Sequence, residues 1–179
     1  YIRPSQAGLV EHFSTLADVS AKPIVLYDIP YRTGVRLEPD TLLTLAGHPR
    51  IAAIKDCAGV PDTTLALILD GRLKVLAGND DAIFASICMG GAGAISAAAH
   101  VRPERFVAMY QALTQGDLAQ GRAIYHELAP LLRALASEPN PAPVKAALAA
   151  QGWLKNELRS PMTPVSDTLM QALTGLAAA

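Results

Sequence analysis

The stretch IAAIKDCAG, residues 51–59, contains both a clear strand signal and a candidate catalytic residue. Its first four residues are apolar, as is typical of a strand buried on both faces of a parallel sheet. The run nevertheless ends on Lys55, and lysine is rarely buried without a reason. Lys55 is therefore either a solvated side chain at a strand end, paired with Asp56, or a desolvated amine that is kept for chemistry.

Three further runs of this kind occur, and each of the four is followed by a helical pattern. With the run at residue 51, their starting points give spacings of 28, 22 and 18 residues, which are typical of βα units in a parallel sheet. The three runs are PIVLYDIP (23–30), LKVLAGND (73–80) and GAGAISAAAH (91–100).

Helix signals fill the rest of the chain. Apolar residues at helical spacing predict a helix at residues 6–19, before the first strand. Pro39 and Pro61 open two further helices, which end at Gly47 and Gly71. After residue 100 only helical patterns follow, and they predict helices at residues 103–116, 118–137, 141–154 and 166–176.

This order of elements predicts an α/β fold of four βα units followed by a helical extension. Four strands with right-handed crossovers fit an open sheet or half of a (β/α)8 barrel. The chain starts at Tyr1 rather than methionine, and no strand precedes its first helix, which favours half a barrel and a fragment of a longer protein. The predicted domains are the half-barrel, residues 1–115, and the helical extension, residues 116–179.

The composition is that of a globular protein, with 51% hydrophobic and 17% charged residues. The net charge of −1 gives no reason to expect a nucleic-acid partner. The longest uncharged stretch, residues 82–101, contains a glycine cluster, so a buried strand is expected there rather than a membrane span. Two cysteines without CxxC spacing and the lack of a signal-peptide pattern predict a cytoplasmic location.

Two strand-end residues are the candidates for chemistry, because the active sites of βα-repeat folds lie at the carboxyl ends of their strands. In an apolar barrel mouth the amine of Lys55 would lose hydration, become more nucleophilic and attack a ketone to form a Schiff base. Tyr27 ends the preceding strand, about 4.8 Å away if the two strands pair, where its hydroxyl could shuttle protons. The alternative for Tyr27 is packing at the barrel rim.

Arg32 follows in a tight loop between Pro30 and Gly34. A guanidinium held on such a loop suits bidentate binding of a substrate carboxylate. The alternative is a solvated surface arginine, which is the interpretation we give to Arg36.

No metal or phosphate site is predicted. The acids of GNDD (78–81) are interpreted as capping and first-turn charges of the next helix. The sequence has no HxH, HExxH or paired-cysteine spacing. The glycine-rich GGAGAIS (90–96) lacks a GxGxxG fit and is interpreted as a close backbone approach.

Six stretches, in this order, resemble the pyruvate-dependent class I aldolase superfamily, and within it the dihydrodipicolinate synthase family. The resemblance covers essentially all 179 residues. The stretches are YDIPYRTG (27–34), IKDCAG (54–59), AGNDD (77–81), GAISAAAHV (93–101), EPNPAPVKAAL (138–148) and RSPMTPVSD (159–167).

The resemblance implies a (β/α)8 TIM barrel with additional C-terminal helices, of which this chain would supply strands five to eight and the helical extension. The other four strands, and the loop that holds the pyruvyl carboxylate, would lie outside this sequence. The chain alone is therefore expected to be inactive. A homotetramer is implied as well.

The resemblance also implies roles for single residues. Lys55 matches the Schiff-base lysine, and Tyr27 matches the tyrosine that relays protons to and from bound pyruvate. Arg32 matches the arginine that binds the carboxylate of the second substrate, and Ile95 the residue whose backbone carbonyl faces the active site. Tyr1 matches a tyrosine that a neighbouring subunit contributes to the relay.

The implied substrates are pyruvate and L-aspartate-4-semialdehyde, condensed to 4-hydroxy-tetrahydrodipicolinate in lysine and diaminopimelate biosynthesis. No cofactor is implied beyond the imine of pyruvate with Lys55. One alternative is another pyruvate-dependent aldolase such as an N-acetylneuraminate lyase, which usually lacks the arginine matched by Arg32. A second is a non-catalytic relative or fragment. Asp28 and Tyr31 depart from the family pattern, which usually has asparagine and a small residue at these places.

Overall fold

The computed structural model describes residues 2–178, with the side chains of residues 2–176, so Tyr1 lies outside the described residues. The chain forms two compact units, one that extends to Ile95 and one that begins at Ser96. The predicted division between a half-barrel and a helical extension, after residue 115, stays a prediction.

A four-stranded parallel sheet forms the first unit, and its strand order β1-β2-β3-β4 follows the sequence. Parallel neighbours need a crossover between them, and helical segments supply it each time. The predicted α/β fold with a parallel sheet is thereby confirmed. The strands are β1 Ile24–Asp28, β2 Ile51–Asp56, β3 Lys74–Ala77 and β4 Gly93–Ala94.

The helices of this unit follow the signals in the sequence. The first helix has the predicted bounds, and two later ones begin at the predicted prolines, where a missing N–H costs no hydrogen bond. Gly71 ends one of them with a φ of 75°, a conformation that favours glycine. The helices are α1 Gln6–Val19, α2 Pro30–Thr33, α3 Pro39–Leu45, α4 Pro61–Asp70 and α5 Ile83–Cys88.

The fourth strand is much shorter than predicted. The sequence predicts a strand over residues 91–100, but β4 has only two residues, and the chain then forms a short 3₁₀ helix at Ala98–His100. The run consists mostly of glycine and alanine, which are depleted in strands, so pairing ends as soon as the sheet edge has been joined.

One face of the sheet is packed against helices. Leu26, Ile54 and Val75 are at most 2% exposed and belong to one apolar cluster with residues of α1, α3 and α4. Burial of each such side chain contributes about 1.5–3 kcal/mol. Because strand side chains alternate between faces, Tyr27 and Lys55 point to the other face, which is accessible at β1, where Tyr27 is 45% exposed.

The second unit consists of helices, as predicted. Apolar residues of its longest helix recur three and four positions apart, and the buried set includes Ile124, Leu128, Leu131 and Leu135. No helix in the described part of the chain is long and apolar enough to cross a membrane. The helices are α6 Pro103–Thr114, α7 Leu118–Ala136, α8 Ala142–Ala150 and α9 Asp167–Ala178.

Candidate functional site

Lys55 and Tyr27 meet at the carboxyl ends of β1 and β2. They are direct partners in the parallel register, so both side chains leave the same face at the same level. The Lys55 Nζ atom lies over the Tyr27 ring, 4.3 Å from its centre. This distance is typical of a cation–π contact, which holds the amine at the phenol.

The four strands end at one common edge. Beyond the last ladder pairs, a backbone N–H after each of the later strands donates to a carbonyl of the preceding strand, which brings Ile95 to the level of Gly78. These bonds run from Cys57 N to Asp28 O (2.9 Å), from Gly78 N to Asp56 O (2.8 Å) and from Ile95 N to Ala77 O (2.9 Å).

Gly78 makes the space that Lys55 occupies. A Cβ atom at this position would lie 2.9 Å from Lys55 Cγ and 3.0 Å from Lys55 Cε. It would lie only 2.3 Å from Cys57 Sγ, far inside contact distance. The backbone of the residue after β3 therefore passes directly against the lysine stem, and only glycine fits there.

Cys57 lies behind this pair. Its thiol is buried and contacts the Tyr27 hydroxyl, with 4.0 Å between Sγ and Oη. Burial raises the pKa of the Cys57 thiol, which therefore stays protonated at neutral pH and can act as a weak donor. Burial also raises the pKa of Tyr27, an effect that the nearby Lys55 amine opposes. The phenol is therefore protonated at neutral pH.

The carboxylate of Asp56 connects the end of β2 to the loop that follows it and to α4. Its Oδ1 accepts the N–H of Ala58 at 2.9 Å, and its Oδ2 accepts the hydroxyl of the buried Thr64 at 2.6 Å. Both carboxylate oxygens are thus engaged by the loop after β2 and by α4. The interpretation of Lys55 as the ion-pair partner of Asp56 loses its main support.

Arg32 lies on the single helical turn α2, directly after β1. Its guanidinium stacks on the ring of Tyr31, with 5.2 Å from Cζ to the ring centre. Gly34 ends the turn with a φ of 74°, as the predicted tight loop requires. Arg36 forms an exposed ion pair with Glu38 at 3.0 Å, which confirms its interpretation as a surface residue.

Asp28 is a buried acid beside this site, only 3% exposed. Its Oδ1 accepts the backbone N–H of Leu37 at 3.2 Å, on the far side of the Arg32 turn. The pKa of Asp28 is raised from 3.8 to about 6, chiefly by burial; the hydrogen bond from Leu37 lowers it in part, and the nearby charge of Asp56 contributes to the rise. Asp28 therefore gains or loses its charge near pH 6, within the pH range in which proteins are usually studied.

The acids of the GNDD stretch occupy the first turn of a short 3₁₀ helix, Asp80–Ala82, that leads into α5. This agrees with the predicted first-turn role. Within residues 2–178 no three His, Cys, Asp or Glu side chains form a group that could hold a metal ion.

The structure brings together some of the predicted site residues and adds others. Tyr27 and Lys55 are in contact, Arg32 lies on the turn after β1, and Ile95 lies at the same strand edge. The sequence reasoning missed Cys57 and Gly78. Cys57 had a usable signal, because residues i and i+2 after a strand tend to share a face. The closeness of Gly78 to the lysine depends on the pairing register, which the sequence alone does not contain.

The comparisons with known proteins agree with this geometry. The family model of the dihydrodipicolinate synthetase family matches residues 1–179. A 4-hydroxy-tetrahydrodipicolinate synthase from Haloarcula marismortui is 42% identical over 170 residues, covering 93% of this chain and 56% of that protein. One from Thermosynechococcus vestitus is 42% identical over 176 residues, covering 97% of this chain and 60% of that protein. The chain thus spans less than two thirds of the length of these relatives.

Solved structures give the same result. The dihydrodipicolinate synthase of Thermotoga maritima superposes with a TM-score of 0.95 at 33% identity, over 99% of this chain and 62% of that one. The enzyme of Acinetobacter baumannii, crystallised with pyruvate, gives 0.94 at 33% identity, over the same shares.

The parallel α/β sheet and these neighbours first define the class, which is that of the TIM-barrel proteins. Within that class the chain belongs to the dihydrodipicolinate synthetase family, whose model matches it from end to end.

Proposed function

We propose that the protein containing this chain is a Schiff-base lyase that condenses pyruvate with L-aspartate-4-semialdehyde to 4-hydroxy-tetrahydrodipicolinate, a step of lysine and diaminopimelate biosynthesis. The observation that carries the proposal is the contact of the Lys55 amine with the Tyr27 ring at the carboxyl edge of the sheet. The names of the relatives, and the pyruvate complex of the Acinetobacter baumannii enzyme, support the choice of substrates.

The first half of the reaction uses Lys55 and Tyr27. The neutral amine adds to the keto carbon of pyruvate, and the carbinolamine loses water to give an iminium ion. The Tyr27 hydroxyl, which is protonated at rest, donates and accepts the protons of this step. The iminium ion then draws electrons from the methyl group, which loses a proton to form an enamine. No cofactor is needed for this activation.

The second half joins the two substrates. The enamine carbon adds to the aldehyde carbon of L-aspartate-4-semialdehyde, and the amine of that substrate displaces Lys55 as the ring closes. Arg32 binds the carboxylate of the second substrate, and the backbone carbonyl of Ile95 faces the reacting groups. Tyr1, outside the described residues, completes the proton relay in a neighbouring subunit. Binding both substrates in one pocket removes much of the entropic barrier.

The finer features of the fold belong to the same proposal. We assign β1–β4 to strands five to eight of a (β/α)8 barrel, because in the described residues only helices follow β4. Residues 1–115 would then be the second half of the barrel, and residues 116–179 the helical extension. The accessible face of β1, with Val25 and Tyr27, would close against the other four strands. A homotetramer in the cytoplasm is part of this proposal.

Reductive trapping tests the chemistry. The full-length protein is incubated with labelled pyruvate and borohydride, and the labelled peptide is identified by mass spectrometry. We expect the label on Lys55, none in Lys55→Arg, and normal labelling in Lys74→Arg, since Lys74 is exposed at the start of β3. A protein that turns over substrate without label on Lys55 would reject the proposal. Turnover of N-acetylneuraminate instead of the semialdehyde would reassign the substrate.

A further inference from the structure

The turn that carries Arg32 lies between two buried residues, Ile29 and Leu37, and Leu37 and Val35 pack in the core of the first unit. Its internal bonds are local: the Thr33 hydroxyl donates to Ile29 O at 3.1 Å and to Val35 O at 2.8 Å, and the Gly34 N–H donates to Pro30 O at 2.8 Å. These bonds shape the loop, but they do not fix where it lies relative to β1.

The far end of the loop is fixed to the first helix. The side chain of Gln6 in α1 donates to Arg36 O at 3.0 Å and accepts the Glu38 N–H at 3.0 Å and the Thr41 hydroxyl at 2.7 Å. These three hydrogen bonds fix the end of the loop and the start of α3 to α1.

Asp28 connects the end of the loop to β1, the strand that carries Tyr27. Its buried Oδ1 accepts the Leu37 N–H at 3.2 Å, across nine residues of chain that include the whole Arg32 turn. Among the side-chain bonds of the described residues, this one closes the loop at its base. Asp28 follows Tyr27 directly, so the phenol and the arginine are tied to the same point of β1.

We propose that Asp28 is a positioning residue that holds the Arg32 loop against β1 through the Leu37 amide, and that it thereby sets the affinity of the site for its second, carboxylate-bearing substrate. The inference rests on the proposed function, because it takes Arg32 as the group that binds this carboxylate. Asp28 itself touches neither substrate.

The charge of Asp28 changes the strength with which the Arg32 loop is attached to β1. An ionised carboxylate accepts a backbone N–H more strongly than a protonated one. The charged groups that face Asp28 are Asp56 of β2, Arg36 of the loop and Glu38 before α3, and its pKa of about 6 results from burial and from these neighbours. Burial outweighs this hydrogen bond, however, because the pKa of Asp28 is raised rather than lowered. The loop is therefore held most tightly below about pH 6, when Asp28 is neutral.

Two variants separate the acceptor from the charge. Asp28→Ala removes the acceptor, whereas Asp28→Asn keeps an oxygen for the Leu37 N–H and removes the charge. Leu128→Ala, on the buried face of α7, serves as a control that lowers stability outside the unit that contains the loop. The full-length variants are compared at pH 8 for the KM of the semialdehyde, for pyruvate trapping, and for hydrogen exchange of the peptide spanning residues 29–37.

For Asp28→Ala we expect a KM for the semialdehyde raised roughly ten-fold, as loss of one hydrogen bond to a charged group predicts. Exchange in residues 29–37 should become faster, and pyruvate trapping should stay within about two-fold of the wild type. Asp28→Asn should restore the affinity and the protection at least to the wild-type level. Leu128→Ala should change none of the three measurements.

The pH profile provides a readout that a merely structural role would not change. The ratio of the wild-type KM to that of Asp28→Asn should fall towards one as the pH falls from 8 to 5.5, with its midpoint near 6, because the wild-type side chain then becomes neutral like asparagine. A constant ratio, or an unchanged KM in Asp28→Ala with normal pyruvate trapping, would overturn the inference alone. Absence of pyruvate trapping in the wild type would reject the proposed function instead.

Discussion

The side chain of Tyr27 offers Lys55 two different groups, the ring face that the ammonium contacts and the hydroxyl that can carry a proton. Tyr27→Phe separates them, because phenylalanine keeps the face and removes the hydroxyl. We expect kcat to fall roughly 10²–10⁴-fold, the usual range for losing a positioned proton-transfer group. Steady-state kinetics on the full-length protein measures this.

Stability should change little in Tyr27→Phe, since the side chain is 45% exposed. Tyr110→Phe, on the exposed side of α6, is the matched control and should leave kcat unaltered. If Tyr27→Phe retains full kcat, the phenol is a packing group at the rim and the proton shuttle lies elsewhere.

Gly78 is a second position at which a single added methyl group is expected to disturb the site. In Gly78→Ala the new Cβ would overlap Cys57 Sγ and press on the stem of Lys55. We expect pyruvate trapping to slow at least about ten-fold, because a displaced amine loses the orientation needed for attack. Rates of label incorporation on Lys55 give the answer.

Cys57→Ala combined with Gly78→Ala removes the closest of the overlapping atoms and should restore part of the trapping rate. Gly175→Ala in α9, where an added Cβ meets nothing within 4 Å, should behave like the wild type. Equal rates in Gly78→Ala and Gly175→Ala would mean that the backbone shifts without disturbing Lys55.

Asp28 also makes the stability of the protein depend on pH. In the folded state it keeps its proton up to about pH 6, whereas in the unfolded chain it loses the proton near 3.8. Between these values the unfolded chain binds fewer protons, so the free energy of unfolding falls as the pH rises from about 4 to about 6. Asp28→Asn should therefore raise the free energy of unfolding by about 1–3 kcal/mol at pH 7.5.

Urea denaturation at pH 7.5 and at pH 4 checks this expectation. At pH 4 the difference between the wild type and Asp28→Asn should nearly vanish, since Asp28 is then largely neutral in the folded state. An equal gain at both pH values would show that the amide stabilises the fold for a reason unrelated to charge.

Among the elements, α4 shows how a strand supports the helix that follows it. The residue before α4 is Val60, whose side chain makes no capping hydrogen bond. Asp56, at the end of β2, bonds to Ala58 N and to the hydroxyl of Thr64 in the first turns of the helix. The carboxylate thus fixes both the loop that leads into α4 and a side chain of its first turns, without accepting a free N–H group of the helix.

Replacing Thr64 tests the link between β2 and α4. Thr64→Val keeps the shape but leaves one Asp56 oxygen without its donor, and should lower the free energy of unfolding by about 1–3 kcal/mol. Thr64→Ser keeps the hydroxyl and should lose much less. Chemical denaturation of both variants compares them, and similar losses would assign the effect to packing of the methyl group.

Elements with strong local signals were predictable, and those that depend on pairing were not. The bounds of α1 follow from its apolar spacing, and α3 and α4 begin at the predicted prolines. By contrast, β4 is two residues long instead of ten, because its run of glycine and alanine has little strand preference and pairs with β3 only at Gly93 and Ala94. The contact of Lys55 with Tyr27 follows from adjacent strand ends, but the burial of Asp28 depends on loop closure, which no local pattern contains.

At the level of the whole molecule, the accessible sheet face bears on activity. Val25 and Tyr27 of β1 and Ile95 after β4 are each more than 40% exposed. In a complete barrel these positions would be covered. We expect residues 1–179 produced alone to show no turnover, and to bind the apolar dye anilinonaphthalene sulfonate more strongly, per residue, than the full-length protein does.

Full-length Lys55→Arg is the control for this experiment. It should be inactive and yet bind as little dye as the wild type, which separates loss of the nucleophile from exposure of the sheet. Turnover by residues 1–179 at the rate of the full-length protein would contradict the half-barrel assignment.

The sequential strand order bears on how the site forms during synthesis. β1 pairs with the next strand to leave the ribosome, and Tyr27 and Lys55 are partners across that pair. The connection between the two strands, residues 29–50, contains α2 and α3, and the entropy of closing such a connection grows only slowly with its length. Translation proceeds at about 5–20 residues per second, whereas local chain closure takes microseconds or less. We therefore expect the nascent chain to bring the amine of Lys55 to the phenol of Tyr27 while the helical unit from Ser96 onward is still being translated.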